Sequence, residues 1–283
     1  MQTLPTLGAA MPARLLATYR DWLIADQRDL EIQDPAYPSV LDGDWQPLVR
    51  QIRDALDGYA GRMGIHGPFV SLDLLAYDPK IRAVVVERYR QALHLAGEIG
   101  ASHMVIHSPF IFFGSPFLAH APSTGQREQI AQIQATLEEI VPLAEPARCT
   151  LMIENIQDTN PGPLLSVVRA FNSAYVRMSL DTGHAFITHR IGGPTPDQWV
   201  REAGALLGHV HLQDGDGHLD RHWLPGDGSL NWFALFEALG NAGAATTADS
   251  GSTQPGGVAA RRGVSAGART GALVPGRRRH PAG

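Results

Sequence analysis

Short apolar runs alternate with longer amphipathic stretches from the start of the chain to about residue 243. The runs have the length of buried strands, and the stretches between them follow the 3.6-residue period of a helix. The pattern therefore predicts seven strand and helix pairs. These are residues 4–10 with 12–25, 29–32 with 45–59, 62–66 with 78–99, 103–107 with 126–143, 150–154 with 163–172, 176–181 with 195–207, and 208–212 with 230–239.

Strands that alternate with helices of this length are typical of a parallel sheet. The first strand is not followed by the GxGxxG sequence of a dinucleotide-binding doubly wound fold. Seven units in 283 residues instead favour a closed (β/α)8 TIM barrel. Closure needs an eighth strand, and the apolar pattern shows no recognisable one.

The pattern stops after Gly243. Residues 244–283 contain no Ile, Phe, Trp, Tyr or Met, so they cannot bury enough apolar surface to offset the entropy of ordering. We expect a TIM-barrel catalytic domain at 1–243 and a low-complexity basic tail at 244–283. The Ala, Gly, Arg and Pro bias of the tail has two explanations: a native disordered segment, or a GC-rich gene read out of frame where an eighth strand should begin.

Charge and cysteine content narrow the class of protein. Residues 1–243 carry 17 Lys and Arg against 27 Asp and Glu, whereas residues 244–283 carry six Arg and one Asp. An acidic body argues against a broad nucleic-acid surface. The single cysteine, Cys149, excludes an internal disulfide framework and a cysteine zinc cluster. The sequence lacks a membrane-length apolar stretch and a signal-peptide pattern, so we predict a cytoplasmic protein.

Imidazole and carboxylate groups follow the predicted strands at the point where each strand ends. The carboxyl ends of barrel strands meet at one mouth, so we expect these groups to converge there. Burying several of them together is costly unless a cation compensates their charge. The sequence therefore predicts a metal site. The candidate ligands are His66, His107, Glu154, Asp181, His184, His211, Asp220 and His222.

Six motifs surround these residues: IHGPF at 65–69, VIHSPF at 105–110, MIEN at 152–155, SLDTGHAF at 179–186, HVHLQD at 209–214 and DRHWLPGDGSLNW at 220–232. At these positions the chain resembles the xylose-isomerase-like TIM barrels. That superfamily includes sugar phosphate isomerases and epimerases, and the zinc enzymes of the endonuclease IV type that act on abasic DNA. The resemblance covers about residues 1–243, but the motifs separate the branches poorly.

The isomerase and epimerase branch implies one divalent ion, Mn, Co, Mg or Zn, held by Glu154, Asp181 and His211. Its fourth ligand, a Glu after strand eight, has no counterpart in the sequence. In that branch two glutamates move a proton through an enediolate; Glu154 matches one of them, and the other would lie in the missing strand. The expected catalytic residues in this sequence are Glu154 and His184. The expected substrate contacts are His66, His107, Asn155, Asp220 and His222. For Asn155, which follows Glu154, the alternative is a hydrogen bond within the loop.

The endonuclease branch implies three zinc ions instead. In that case His66, His107, His184, Asp220 and His222 are metal ligands together with Glu154, Asp181 and His211. A third alternative is an inactive barrel that still binds a metal or a small ligand. The sequence favours the isomerase or epimerase, acting on a sugar, a sugar phosphate or a related hydroxy-carbonyl compound, because the acidic body lacks a basic stripe. Its expected partner is a small sugar-like molecule, and assembly into a homo-oligomer is left open.

Some polar and apolar features receive no ligand role from the sequence. Glu31 either lines the barrel mouth or balances an arginine in the barrel, and His103 and His209 are interpreted as structural. The apolar segment 110–114 after strand four predicts either a lid over the site or an oligomer contact or core plug.

Overall fold

The computed structural model describes residues 6–109, 123–242 and 247–250, and the side chains of 123–126 and 247–250 are not described. Eight parallel strands pair in sequence order and close into a barrel. The predicted (β/α)8 class is confirmed. The strands are β1 Leu7–Met11, β2 Leu30–Ile32, β3 Met63–His66, β4 His103–His107, β5 Thr150–Glu154, β6 Val176–Asp181, β7 Leu207–His211 and β8 Thr247–Ser250.

Helices cover the outside of the strands. Short 3-10 turns at Ala13–Leu15, Asp34–Ala36 and Gly204–Leu206 complete the connections. None of the helices described in 6–109 and 123–242 combines the length and apolarity needed to cross a membrane. The helices are α1 Leu16–Ala25, α2 Pro38–Leu41, α3 Gln46–Ala55, α4 Pro79–Ile99, α5 Ser123–Leu137, α6 Val141–Ala147, α7 Pro161–Phe171, α8 Thr182–His189, α9 Pro196–Ala203 and α10 Trp232–Asn241.

The longest helix, α4, begins and ends where its sequence dictates. Asp78 caps its first turn by accepting hydrogen bonds from the backbone N–H groups of Lys80 and Ile81. Pro79 occupies the first helical position, where its missing N–H costs nothing. Gly100 ends the helix in the left-handed region at φ 77°. The defined ends fix how β3 connects to β4, which carry His66 and His107.

The eighth strand corrects an expectation of the sequence analysis. A strand of four residues, β8, pairs with β7 on one side and with β1 on the other. Its sequence, Thr-Ala-Asp-Ser, contains no large apolar residue, so it produced no apolar run. Strand pairing uses backbone groups, which the two open edges of β1 and β7 supply whatever the side chains are. The register sets Asp249 of β8 level with His211 of β7.

Two helical boundaries also differ from the prediction. The stretch 126–143 is divided into α5 and α6, and Pro142 lies at the start of α6, where proline is well tolerated. The stretch 182–194, to which the sequence analysis assigned no element, contains the helix α8, which Asp181 caps by accepting from the backbone N–H of His184. The apolar segment 110–114 lies outside the described residues.

The interior of the barrel is polar at its centre. Glu31, His103 and His209 are fully buried there, and the rings of His103 and His209 lie 4.9 Å apart. Gly64 makes room for this layer, because a Cβ at that position would lie 2.2 Å from the His103 ring. Barrel interiors are usually filled by branched aliphatic residues, so a buried polar layer beneath the mouth requires an explanation from function.

Candidate metal centre

A cavity of about 720 Å³ opens at the carboxyl ends of the strands. Its floor is formed by the strand-end groups and its upper wall by residues that follow β1 and β2, including Pro12, Tyr19 and Val40. The structure thus brings every predicted ligand to one site. The eight that line the cavity are His66, His107, Glu154, Asp181, His184, His211, Asp220 and His222.

Glu154, Asp181 and His211 form the buried floor of the cavity. One donor atom from each lies within 4.8 Å of the others, and the three residues are at most 6% exposed. Glu154 accepts a short hydrogen bond at Oε1 from Nδ1 of His211. Two carboxylates and an imidazole at this spacing match the oxygen and nitrogen ligands of a divalent cation. The donor set therefore fits a metal ion.

A second donor group shares Glu154 and adds His66 and His107. The two imidazole rings lie edge to face with centroids 5.1 Å apart. His66 Nδ1 is 2.9 Å from the carbonyl oxygen of Gly67. A carbonyl can only accept, so Nδ1 carries the proton and Nε2 is left with a lone pair, the form that a metal ligand needs.

The third cluster contains His184, Asp220 and His222. Asp220 Oδ2 is 3.5 Å from His184 Nε2 and 3.0 Å from His222 Nε2. His184 Nδ1 donates to the carbonyl oxygen of Asn155 at 3.0 Å, so Nε2, which faces Asp220, is the nitrogen that would bind a metal ion after losing its proton. His222 lies in the left-handed backbone region at φ 50°. Strain of this kind in a residue other than glycine is concentrated at functional sites.

Asn155 has a different role from the predicted one. It is fully buried, and its carboxamide makes two hydrogen bonds to the backbone of Asp181. Its side chain therefore fixes the end of β6 and with it the Asp181 carboxylate. The sequence pointed to a substrate contact because Asn155 follows Glu154, but the bend of the chain after β5 directs the amide to the neighbouring strand.

Two residues that the sequence analysis did not select support the centre. Gln213 is buried and donates from Nε2 to Asp181 Oδ2 at 2.7 Å, while its Oε1 accepts from the backbone N–H of His222 at 3.1 Å. Glu31 lies beneath His211, with Oε2 3.0 Å from Nε2 of that ring. Gln213 lies in the motif HVHLQD, and this motif was the only sequence signal for its role. For Glu31 the only sequence signal was its position on β2.

The charges of the metal-free centre are arranged around its carboxylates. Burial by itself disfavours a charged His211, but the neighbouring carboxylates Glu154 and Glu31 outweigh it and raise its pKa well above the ordinary value. Burial also disfavours the charged form of His184, but the negative charge of Asp181 outweighs this effect. The pKa of His184 is therefore raised to about 10. Burial lowers the pKa of His107 to about 3, with a further contribution from His66.

The protonation states differ between neighbouring imidazoles. At neutral pH the metal-free centre therefore has protonated His211 and His184 beside a neutral His107. Positive charge is thus supplied by protons in the positions where a cation would otherwise neutralise Glu154 and Asp181. Binding of a divalent ion must displace at least the proton of a ligating imidazole.

The upper part of the cavity is poor in basic groups. Among the described residues that line it, Arg14 is the only Lys or Arg, whereas Asp34 and Asp220 add negative charge at the wall. A cavity of this size can enclose a small molecule. The described wall has too few Lys and Arg side chains to neutralise the repeated phosphates of a nucleic acid.

Comparison with known proteins agrees with the fold and the motifs. The chain belongs to the xylose isomerase-like TIM barrel family, whose family model matches residues 28–249. The family predicted from the motifs is thereby confirmed. A relative in Methanocaldococcus jannaschii, the uncharacterized protein MJ1311, is 27% identical over 198 residues. The alignment covers 68% of this chain and 64% of MJ1311, so the chain spans less than two thirds of that relative.

Solved structures share the barrel. The TTHB071 protein from Thermus thermophilus, in a structure described as soaked with ZnCl2, is 28% identical with a TM-score of 0.64 over 80% of this chain and 84% of its own. A D-allulose 3-epimerase from Methylomonas sp. in complex with D-allulose is 21% identical, with a TM-score of 0.64 over 88% and 85%. Other structural neighbours are also named as sugar epimerases.

Proposed function

We propose that the chain is a divalent-metal-dependent isomerase or epimerase of a sugar, a sugar phosphate or a related hydroxy-carbonyl compound. The observation that carries this proposal is the combination of a buried donor set, Glu154, Asp181 and His211, with an acidic cavity wall that has Arg14 as its single described basic group. Such a site suits a compact, hydroxyl-rich molecule. The sugar epimerases among the structural neighbours support the same class of substrate.

Glu154, Asp181 and His211 would hold the ion. A divalent cation bound there supplies polarisation of the substrate carbonyl and its neighbouring hydroxyl. The carboxylate of Glu154 would remove the hydrogen from the carbon next to that carbonyl.

Glu154 and His184 are the proposed proton-transfer pair. Burial opposes ionisation of Glu154, but the charge and hydrogen bond of His211 lower its pKa, so it is a carboxylate at neutral pH and can accept a proton. The pKa of His184 is raised to about 10 in the metal-free centre, so this imidazole can donate a hydrogen bond or proton to a substrate oxygen. Two groups held in opposite protonation states on one cavity form the usual acid and base arrangement.

The test is hydrogen exchange from solvent into candidate substrates. The purified protein, loaded with Mn²⁺, Co²⁺, Mg²⁺ or Zn²⁺ in turn, is incubated in D₂O with a panel of ketopentoses, ketohexoses and their phosphates. Deuterium is expected at the carbon next to the carbonyl, and the Glu154→Gln variant is expected to lose it. Exposed Glu145 on α6 gives a matched Glu145→Gln control that should retain exchange. Absence of exchange with every sugar, while metal is bound, would overturn the proposal.

A second candidate is a zinc-dependent phosphodiesterase of the endonuclease IV type. It is favoured by one specific observation: two donor groups share Glu154, and the Asp220 cluster lies beside them. A bridging carboxylate is typical of sites with more than one metal, where bound hydroxide attacks a phosphate. Three zinc ions per chain and cleavage of abasic duplex DNA, lost in Asp181→Asn, would establish this alternative. About one ion per chain and no cleavage would support the isomerase.

A further inference from the structure

Glu31 is a carboxylate buried beneath the donor set. It lies on β2 inside the barrel and is fully buried. Its Oε2 is 3.0 Å from Nε2 of His211. Among the described residues no hydrogen-bond partner is found for its Oε1. A buried carboxylate is costly unless it is paired, so this position calls for a function that compensates the cost.

The groups below Glu31 fix the direction of its hydrogen bonds. Asp29 Oδ2 accepts from Nη1 of Arg62 at 2.8 Å, and the same Nη1 is 3.3 Å from Nδ1 of His209. A guanidinium can only donate, so Nδ1 of His209 accepts and Nε2 carries the proton of the neutral ring. That Nε2 lies 3.8 Å from Glu31 Oε2. The polar layer therefore presents the N–H of His209 to Glu31.

Glu31 also determines which nitrogen of His211 carries a proton. The carboxylate oxygen Oε2 of Glu31 accepts, so Nε2 of His211 carries the proton and donates a hydrogen bond to it at 3.0 Å. Nδ1 of His211, the nitrogen beside Glu154, is then the one that can offer a lone pair to a cation. Carboxylates that accept from the remote nitrogen of a ligating imidazole fix its tautomer and raise its basicity.

We propose that Glu31 is a positioning residue that sets the tautomer and orientation of His211 for metal binding, and that Arg62 sets the tautomer of His209 in the layer beneath it. The proposal rests on the proposed function, because it assigns His211 as a ligand. Glu31 acts through His211 and lies below the groups that would touch the substrate.

A metal ion bound by Glu31, His103 and His209 themselves is the competing explanation. One donor atom of each lies within 4.8 Å of the others. Arg62 argues against it, since its guanidinium places a permanent positive charge 3.3 Å from His209 and makes Nε2 of that ring the protonated nitrogen. We therefore expect no ion in the lower layer.

The test compares the full-length protein with Glu31→Gln, Glu31→Asp, His103→Ala and the control Glu145→Gln. Each is titrated with Co²⁺ and Zn²⁺ to obtain Kd and the number of ions, and the visible spectrum of the Co²⁺ form is recorded. Glu31→Gln is expected to weaken the tightest site by about 10- to 100-fold and to change the Co²⁺ spectrum. Glu31→Asp should recover part of the affinity, and Glu145→Gln should match the wild type. His103→Ala should leave the ion count unchanged.

The outcomes separate the inference from the function beneath it. If the wild type binds neither ion, the proposed function fails and the role of Glu31 fails with it. If the wild type binds metal but Glu31→Gln has the same Kd and the same Co²⁺ spectrum, only the inference about Glu31 is overturned. Loss of one ion in both Glu31→Gln and His103→Ala would show a metal site in the lower layer and would also overturn it.

Discussion

The side chain of Asn155 is bonded twice to the backbone of Asp181. Its Oδ1 accepts from the Asp181 N–H at 2.7 Å, and its Nδ2 donates to the Asp181 carbonyl oxygen at 3.1 Å. Both groups are buried. The carboxamide thus acts as a clamp between the ends of β5 and β6, the two strands that deliver Glu154 and Asp181 to the site.

Replacement of Asn155 by alanine should affect stability and metal binding together. Two buried backbone groups of Asp181 would lose their partners, which costs on the order of 2–4 kcal/mol of unfolding free energy. The displaced carboxylate should also weaken metal affinity. Denaturant unfolding of the metal-free protein and calorimetric metal titration measure the two effects. Gln51→Ala, on the exposed surface of α3, is the control, and equal stability of Asn155→Ala and wild type would contradict the clamp.

Metal uptake should release protons at neutral pH. The carboxylates around His211 raise its pKa well above the ordinary value, against the effect of burial, so the metal-free ring is protonated and must lose a proton to become a ligand. We expect about one proton per chain if a single ion binds at His211, and a second if His184 also ligates. An indicator dye in weak buffer reports the number as Zn²⁺ is added. Uptake without proton release would show that His211 is not a ligand.

The thermal stability of the metal-free protein should fall as the pH rises from 7 to 10. Burial opposes protonation of His184, but Asp181 prevails and raises its pKa to about 10, against 6.5 for the unfolded chain. The native state therefore binds more protons than the unfolded chain between pH 6.5 and pH 10. The stability that protonated His184 contributes is fully present below pH 6.5 and is lost as the pH rises through 10. His184→Asn should flatten the decline in Tm, whereas His218→Asn, at an exposed position, should not. An unchanged slope in His184→Asn would refute the assignment.

Gly64 should resist substitution because of His103. A Cβ at Gly64 would lie 2.2 Å from Cε1 and Nε2 of that ring, so Gly64→Ala should cost about 1–3 kcal/mol through overpacking. The double variant with His103→Ala should lose less than the two single variants summed, since removal of the ring removes the clash. Denaturant unfolding of the four proteins completes the cycle. Simple additivity would show that the two residues do not compete for space.

The short strand β8 should contribute to stability. Ending the chain at Ala242 would expose the parallel edges of β1 and β7, which β8 covers, and open edges promote self-association. We expect a lower Tm and a larger aggregated fraction than in the full chain, measured by thermal melt and light scattering. A chain ending at Ser250 is the matched control. If the two truncated chains behave alike, β8 adds nothing to the barrel.

The cytoplasmic location and the homo-oligomer stay predictions, as does the interpretation of residues 244–283 as a separate tail, apart from β8 at Thr247–Ser250. The metal itself, the number of ions and the catalytic roles of Glu154 and His184 are proposals to be decided by the titrations and exchange experiments above.

The sequence alone determined seven of the eight strands, the barrel class and the eight groups at the mouth. It could do so because these are local properties: an apolar run defines a strand, its last residue defines what reaches the mouth, and a helix such as α4 carries its own caps at Asp78 and Gly100. In a parallel barrel all strand ends meet at one face, so local order along the chain is enough to predict convergence.

The tertiary structure alone decided which side chains support the centre. Glu31 and His211 are 180 positions apart, and their contact depends on the closure and register of the barrel. The same is true of Gln213, which links Asp181 to the backbone of His222. The strand β8, whose four small and polar residues give no apolar run, is likewise recognised only by its backbone pairing with β1 and β7. Such contacts join residues that are far apart along the chain or on different strands, so they depend on how the barrel closes.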